Sequence, residues 1–158
     1  MSASTFDLSR FLSAQRSVYE QVVDELKAGR KRTHWMWFIF PQLASLGRSP
    51  TARFYGLENL AHARAYGQHA VLGPRLQECC NLVLSIDGCT PTQIFGSPDD
   101  LKLCSCVTLF EAACPAEPVF GAVVDKLYGG RRDALTLSHL QQQTASDPVA
   151  ATADQRKP

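Results

Sequence analysis

His34-Trp35-Met36-Trp37-Phe38-Ile39-Phe40-Pro41-Gln42 decides how the rest of the chain is read. This run is apolar and continuous enough to be a buried strand. Its length suits a short buried helix equally well, and periodicity alone does not separate the two. Both tryptophans of the chain lie in it, Arg30-Lys31-Arg32 leads into it, and Pro41 closes it. A cation cluster, an imidazole and a terminal amide at the edges of an apolar run cost about 1–3 kcal/mol each if they are buried without partners. They therefore either find partners in the fold or face a ligand.

Outside this run no convincing alternating strand pattern occurs, and the spacing is helical. On the N-terminal side Leu8, Phe11, Leu12, Val18, Val22 and Leu26 recur at helical intervals. They predict one amphipathic helix over residues 6–28, with Asp7 as its N-cap, Lys27 at its negative end and Gly29 just beyond it. On the C-terminal side the pattern predicts helices over 57–66 and 74–84, then a single turn opened by Thr90-Pro91 and stopped by Gly96. Ser97-Pro98-Asp99-Asp100 then starts a helix to residue 113, with Ser97 capping it. Further helices are expected over 118–128, ended by Gly129-Gly130, and over 133–140, capped by Asp133. From Gln141 the chain is polar and small, which predicts a disordered tail over 141–158. The expected fold is mainly α: a compact single helical domain over residues 1–140, with about six to eight helices and one irregular aromatic segment.

Composition agrees with such a domain. At 158 residues, 45% of them hydrophobic, the chain can bury roughly two thirds of its unfolded surface without a metal or disulfide staple. A formal net charge of +1 gives no field to draw in nucleic acid or a membrane surface. Residues 1–9 lack the positive-then-apolar pattern of a secretory signal, and no apolar run approaches the roughly 20 residues that span a bilayer. A cytoplasmic monomer is expected. The six cysteines include no Cys-x-x-Cys pair, and they are read as small buried residues rather than metal ligands. No metal and no cofactor is expected.

Three constellations could carry chemistry. Lys31, His34, Trp35, Trp37 and Gln42 combine rings that stack on flat groups, a cation for phosphate, and an imidazole that moves protons near neutral pH. Asp99 and Asp100 open a helix on which Lys102, Ser105 and Thr108 recur every three residues. The two acids point roughly 100° apart and do not form an acid–base pair. The lysine and hydroxyls form a strip that either cradles an anion or bonds back to its own helix. Gly129-Gly130-Arg131-Arg132-Asp133 delivers a glycine turn and two arginines to a helix start, which can hold an anion but serves equally as helix punctuation.

The motif His34 to Gln42 with Lys31, together with Phe6-Asp7-Leu8, Arg10-Phe11, Leu72-Gly73-Pro74-Arg75-Leu76, Ile94-Phe95-Gly96, Asp99-Asp100-Leu101-Lys102-Leu103, Thr108-Leu109-Phe110, Asp133 and Thr136-Leu137, resembles a bacterial family of unknown function whose members are often mislabelled "calpastatin". The resemblance spans about residues 6–140 and implies a compact, mainly helical domain, as in its mycobacterial members. The calpastatin label itself conflicts with the sequence: inhibitory calpastatin segments are polar and disordered, whereas this chain has helical periodicity and many aromatics. The chain also departs from the family pattern, carrying His62 where a glutamate is expected and Ala70 where a proline is expected. Were that glutamate catalytic in relatives, the activity here would be altered. A looser resemblance, in gestalt, is to NADAR or YbiA-like proteins, which implies hydrolysis of an N-glycosidic bond in an ADP-ribose-like or riboflavin-pathway compound.

Two functional expectations follow. In the first the protein is such a hydrolase: Trp35 or Trp37 stacks the base, Lys31 and Lys102 hold phosphate, Asp99 or Asp100 stabilises the cationic centre or activates water, and His34 carries the proton, with Gln42, Ser105, Thr108 and Asp133 completing the binding surface. In the second the same groups form a non-catalytic binding module for a nucleotide-like small molecule or a protein.

Overall fold

The architecture is organised around a helix with no solvent-facing side along most of its length. In the computed structural model, which describes residues 6–146, helix α8 (Asp99–Ala113) is buried at every residue from Leu103 to Phe110. A helix apolar all round has to be enclosed by others. Here α5 (Leu60–Gln68), α7 (Pro91–Phe95), α9 (Val119–Tyr128) and α10 (Ala134–Ser146) surround it. Helix α6 (Leu72–Leu84) lies against α5 and α9, and α2 (Tyr19–Lys27) docks on α6. Helix α1 (Ser9–Arg16) covers α3 (Met36–Ile39), and α4 (Pro50–Phe54) packs on a 3₁₀ turn, Ala44–Leu46. The fold is mainly α, as expected, and the helices number ten among the described residues because α3, α4 and α7 are turns of four or five residues.

The aromatic run resolves as one helical turn, α3, and not as a strand. No strand occurs among the described residues, only an isolated parallel bridge between Leu43 and Leu57. Through it the Leu57 N–H donates to the Gln42 carbonyl (2.9 Å) and the Ala44 N–H to the Leu57 carbonyl (2.8 Å). This bridge draws the chain leaving α3 alongside the chain leaving α4.

Several element boundaries differ from expectation, each for a local reason. The helix expected over 6–28 is two helices, α1 and α2, broken at Ser17-Val18, where the Val18 N–H reaches back only three residues to the Gln15 carbonyl (3.1 Å). The halves address different neighbours. Phe11 and Gln15 face Phe38 and Tyr66, while Val22 and Leu26 are buried on the side of α6. One straight helix could not present both faces. Asp7 is not the N-cap of α1: Leu8 holds that position without a side-chain bond, and the Asp7 carboxylate, one residue earlier, accepts from the Ser9 N–H (2.9 Å). The end of α2 closes as a Schellman motif: Gly29, at φ +79°, donates to the Leu26 carbonyl, and Arg30 donates to that of Glu25.

Ser97 does not cap α8. The Gly96 and Pro98 carbonyls already accept from Asp100 and Lys102, so no hydroxyl is needed there. Helix α5 begins at 60 and not 57, because Leu57 is committed to the bridge and the Asn59 side chain takes the His62 N–H (2.9 Å). Helix α10 runs to Ser146, past the expected end at 140, with Leu140 packed on the core and the Gln143 side chain donating to the Glu58 carbonyl (3.0 Å). The rest of the expected tail, 147–158, lies outside the described residues. Among the described residues no helix is long and apolar enough to cross a membrane.

Helices α5 and α6 meet through glycines. A Cβ on Gly73 would stand 2.2 Å from the Gly67 carbonyl oxygen, so this crossing requires a residue without a side chain.

Candidate functional site

Two polar clasps place the aromatic run. The first is the Glu25 carboxylate. An acid in the last turn of a helix opposes the macrodipole, and Glu25 occupies that position because it has other partners. Its Oε1 accepts from the backbone N–H groups of Arg32 (2.6 Å) and Thr33 (3.1 Å) and from Trp35 Nε1 (2.9 Å), and its Oε2 from Thr33 Oγ1 (2.6 Å) and Gln21 Nε2 (3.1 Å). Burial raises its pKa. Donation from the Thr33 hydroxyl, the Arg32 amide, the Trp35 indole and the Thr33 amide together outweighs burial and brings it down to about 2. The carboxylate thus folds residues 30–35 around itself and turns Lys31 inward.

The second clasp is at the far end of α3. A one-turn helix leaves its carbonyls without helical partners. The Phe38 carbonyl instead accepts from Gln15 Nε2 (2.7 Å) and the Tyr66 hydroxyl (3.3 Å), and Arg75 donates to Gln15 Oε1 (3.2 Å). Three helices therefore hold α3 in one orientation. Burial pushes the Tyr66 phenol well above its ordinary value, so it stays a neutral donor.

Between the clasps lies a shallow cleft, lined by Met36, Trp37, Phe40, Gln42, Ala52, Tyr55 and Lys102. Its floor is apolar. Trp37, Tyr55 and Gln42 are half-buried at its rim. The Lys102 ammonium stands 5.5 Å from the Trp37 ring centre and 3.7 Å from Asp99 Oδ1. Lys31, behind it, lies 3.0 Å from Asp99 Oδ2 and 5.2 Å from the Trp35 ring. Side-chain exposure ranks the three charges: 8% for Lys31, 21% for Asp99 and 26% for Lys102. Lys31 is an internal counter-ion, and Lys102 is the cation at the wall.

The structure thus gathers Trp37, Gln42 and Lys102 in the cleft, with Asp99 and Lys31 immediately behind Lys102. The other expected site residues stand elsewhere. Trp35 is fully buried and spends its indole N–H on Glu25. His34 is exposed and is not part of the cleft lining. Asp100 accepts from Thr92 Oγ1 (2.6 Å) and from the Leu101 amide. Ser105 and Thr108 are buried against Asp133: Ser105 Oγ donates to Asp133 Oδ2 (3.2 Å), Thr108 Oγ1 accepts the Asp133 N–H (2.9 Å), and Asp133 Oδ2 also accepts from the amide and hydroxyl of Thr136. That set joins α8 to the start of α10 and leaves the strip with no free hydroxyl. Arg132 pairs with Glu111 (2.7 Å) and Asp125 (3.2 Å).

Sequence reading missed Ala52 and Tyr55, which reach the cleft from α4, and gave no role to Glu25. For α4 no periodic signal exists in five residues. For Glu25 the signal was present, as an acid at the unfavourable end of a helix. Among the described residues no group of three or more His, Cys, Asp or Glu is arranged to hold a metal ion. All six cysteines are free, with Cys79, Cys80, Cys104 and Cys106 buried.

The family model of DUF1810, described as protein of unknown function, matches residues 5–140. The chain belongs to that family. The crystal structure at 1.38 Å of the conserved hypothetical protein Rv1873 from Mycobacterium tuberculosis is 54% identical to it, covering 87% of this chain and 99% of that one, with a TM-score of 0.86. No curated protein matches the chain.

Proposed function

We propose that this DUF1810 protein is a small-molecule binding module whose cleft takes the flat ring of an anionic, nucleotide-like ligand. One observation carries the reading: an apolar floor meets a half-buried tryptophan, a carboxamide and an ammonium at one rim. Ligand sites are typically mostly apolar with a few converging polar groups. Here Trp37 and Tyr55 offer faces for stacking, Gln42 offers a donor and an acceptor, and Lys102 offers charge. The cleft encloses room for about one water molecule, so a ring would lie across its mouth against Trp37, with any charged remainder over Lys102. The reading takes the protein to be a cytoplasmic monomer.

The hydrolytic alternative, cleavage of an N-glycosidic bond in an ADP-ribose-like molecule by analogy with NADAR-like proteins, is favoured by one feature. The Asp99 carboxylate stands beside the ammonium that lines the cleft and is placed to stabilise a developing cation or polarise water. Of the acid–base residues it would use, His34 lies outside the cleft and Asp100 is bonded to Thr92. Binding without turnover is therefore the better-supported form.

A thermal-shift series with nucleotides, NAD, ADP-ribose and flavin precursors tests both. A ligand at 100 times its Kd stabilises by about 2.7 kcal/mol. The expected result is a shift that disappears in Trp37→Ala and Lys102→Ala proteins that remain folded, with no release of base on long incubation. Base release abolished by Asp99→Asn would establish the hydrolase instead. No shift with any compound would overturn both.

A further inference from the structure

We infer that the face around the cleft mouth binds single-stranded nucleic acid, with the nucleotide-like group of the proposed function as one unit of the strand. The inference rests on that reading of the Trp37 rim and extends it over the surrounding surface. The net charge of +1 conceals a segregation of charge along the chain. Residues 26–57 carry Lys27, Arg30, Lys31, Arg32, Arg48 and Arg53 and not one Asp or Glu. The same stretch supplies every residue lining the cleft except Lys102. Lys31 and Lys102 are occupied with Asp99. Arg30, Arg32, Arg48 and Arg53 are exposed and make no ion pair among the described residues. Unpaired cations at the surface are what a phosphate backbone engages.

The fold brings these arginines to two sides of the cleft. On one side Arg30 and Arg32 flank Lys31, whose ammonium reaches Asp99 beside the cleft cation Lys102. The Glu25 carboxylate takes the Arg32 N–H (2.6 Å), so this backbone is fixed while the side chains stay in solvent. On the other side Arg53 and Phe54 lie between Ala52 and Tyr55, which both line the cleft. Arg53 Nε donates to the Gly47 carbonyl (3.3 Å). Phe54 is 58% exposed, yet its ring meets Tyr55 edge-on at 4.8 Å, and Tyr55 packs on buried Phe38 at 5.3 Å. An exposed ring tied to the core through a second ring is a fixed platform. Phosphates between arginines, with bases on Phe54 and across Trp37, satisfy both features at once, because every base has a face to stack. A base on Trp37 lies over the cleft mouth and needs no room inside it. An acidic peptide would meet the arginines and leave both rings without a partner. A duplex keeps its bases stacked inside and is read by a helix or ribbon in a groove, whereas the cations here stand on a loop and on α4, a helix of five residues.

Fluorescence anisotropy of the full chain tests this, with labelled oligo(dT), a DNA duplex of the same length and polyglutamate of equal charge. Oligo(dT) is expected to bind about tenfold or more tighter than either of the others. With four phosphates neutralised, raising salt from about 50 to about 200 mM should weaken it about 50-fold. In the double variant Arg30→Gln/Arg32→Gln the affinity should fall, and the slope of log K against log salt should flatten by about 1.4. In Phe54→Ser the affinity should fall about tenfold with the slope unchanged. Lys126→Gln removes a cation of α9 that is paired with Asp87 and should change neither. Equal affinity for oligo(dT) and either other polymer, or affinity that survives both the arginine and the Phe54 substitutions, overturns the inference. If dTMP gives a Trp37-dependent thermal shift while oligo(dT) binds no tighter than dTMP, the single-nucleotide reading of the cleft stands and the strand is wrong. If neither binds, both readings fall.

Discussion

Replacing Glu25 by glutamine preserves the shape of the side chain and removes its charge, and the structure says what that costs. The carboxylate accepts five hydrogen bonds: two backbone amides and the Trp35 indole on Oε1, and the Thr33 hydroxyl and Gln21 amide on Oε2. Their combined preference for the ionised form, net of the burial that opposes it, takes the group from the ordinary 4.5 to about 2. That difference is worth about 3 kcal/mol at neutral pH. The variant's own NH₂ would point at groups that donate, as the proton of the neutral acid does, so a loss of about 3 kcal/mol is expected for Glu25→Gln. In a chain of this size it corresponds to a loss of about 6–12 °C in Tm. The sign of the pH dependence follows from linkage. The folded value lies below the unfolded one, so the contribution is complete above about pH 4.5 and fades as pH falls toward 2. Urea unfolding of wild type and variant, followed by tryptophan fluorescence at a series of pH values, measures the difference directly. A gap under about 1 kcal/mol at pH 7, or one that stays constant on acidification, would refute the argument that the ionised carboxylate organises residues 30–35.

The second clasp, the glycine crossing and the buried imidazole give further outcomes. Gln15→Leu removes the donor to the Phe38 carbonyl and the acceptor for Arg75, and denaturant midpoints should report a loss of about 2–3 kcal/mol. Gly73→Ala forces a methyl to 2.2 Å from the Gly67 carbonyl; α5 and α6 must separate, and scanning calorimetry should show a loss of more than about 3 kcal/mol. His62 is buried and stacked on Phe6 at 4.4 Å, with Nδ1 accepting from the Glu58 N–H and Nε2 without a partner among the described residues. Burial, reinforced by the nearby Arg10 charge, lowers its pKa from 6.5, so the folded state binds its proton less readily than the unfolded state. Wild-type stability should therefore decline as pH falls below about 6.5, and the decline should be smaller in His62→Phe, measured by urea unfolding between pH 5 and 8. Asp133→Ala unpairs the Thr136 amide and hydroxyl and leaves the Ser105 hydroxyl with the Leu101 carbonyl alone, and should cost about 1–2 kcal/mol with no change in ligand binding at the cleft.

The helical class, the helix over 118–128 and the Asp133 cap were legible in the sequence because each depends on neighbours within a turn or two: Gly129 follows α9 directly, and Asp133 bonds Thr136. What was hidden depends on residues far apart in sequence. The break between α1 and α2 is set by Gln15 reaching Phe38, 23 positions away. The aromatic run is a turn and not a strand because its free carbonyl is taken by side chains of α1 and α5. At the site, Trp37, Gln42 and Lys102 carry visible signals of residue type and spacing, and the structure does bring them together. Trp35 looks identical to Trp37 in the sequence. Only the Glu25 carboxylate, ten positions earlier, separates a core anchor from a half-buried ring at the cleft rim.

Lys102 sits one residue before the point at which α8 enters the interior, where every residue from Leu103 to Phe110 is enclosed. The backbone that carries the cleft's cation is therefore anchored in the segment of the protein that opens last. Its amides from 103 onward should exchange with deuterium only through global unfolding. If the cleft binds as proposed, its ligand meets a cation whose backbone is already held by the interior helix. Association should proceed in a single phase with a rate linear in ligand concentration, and discrimination among ligands should appear in how slowly they leave.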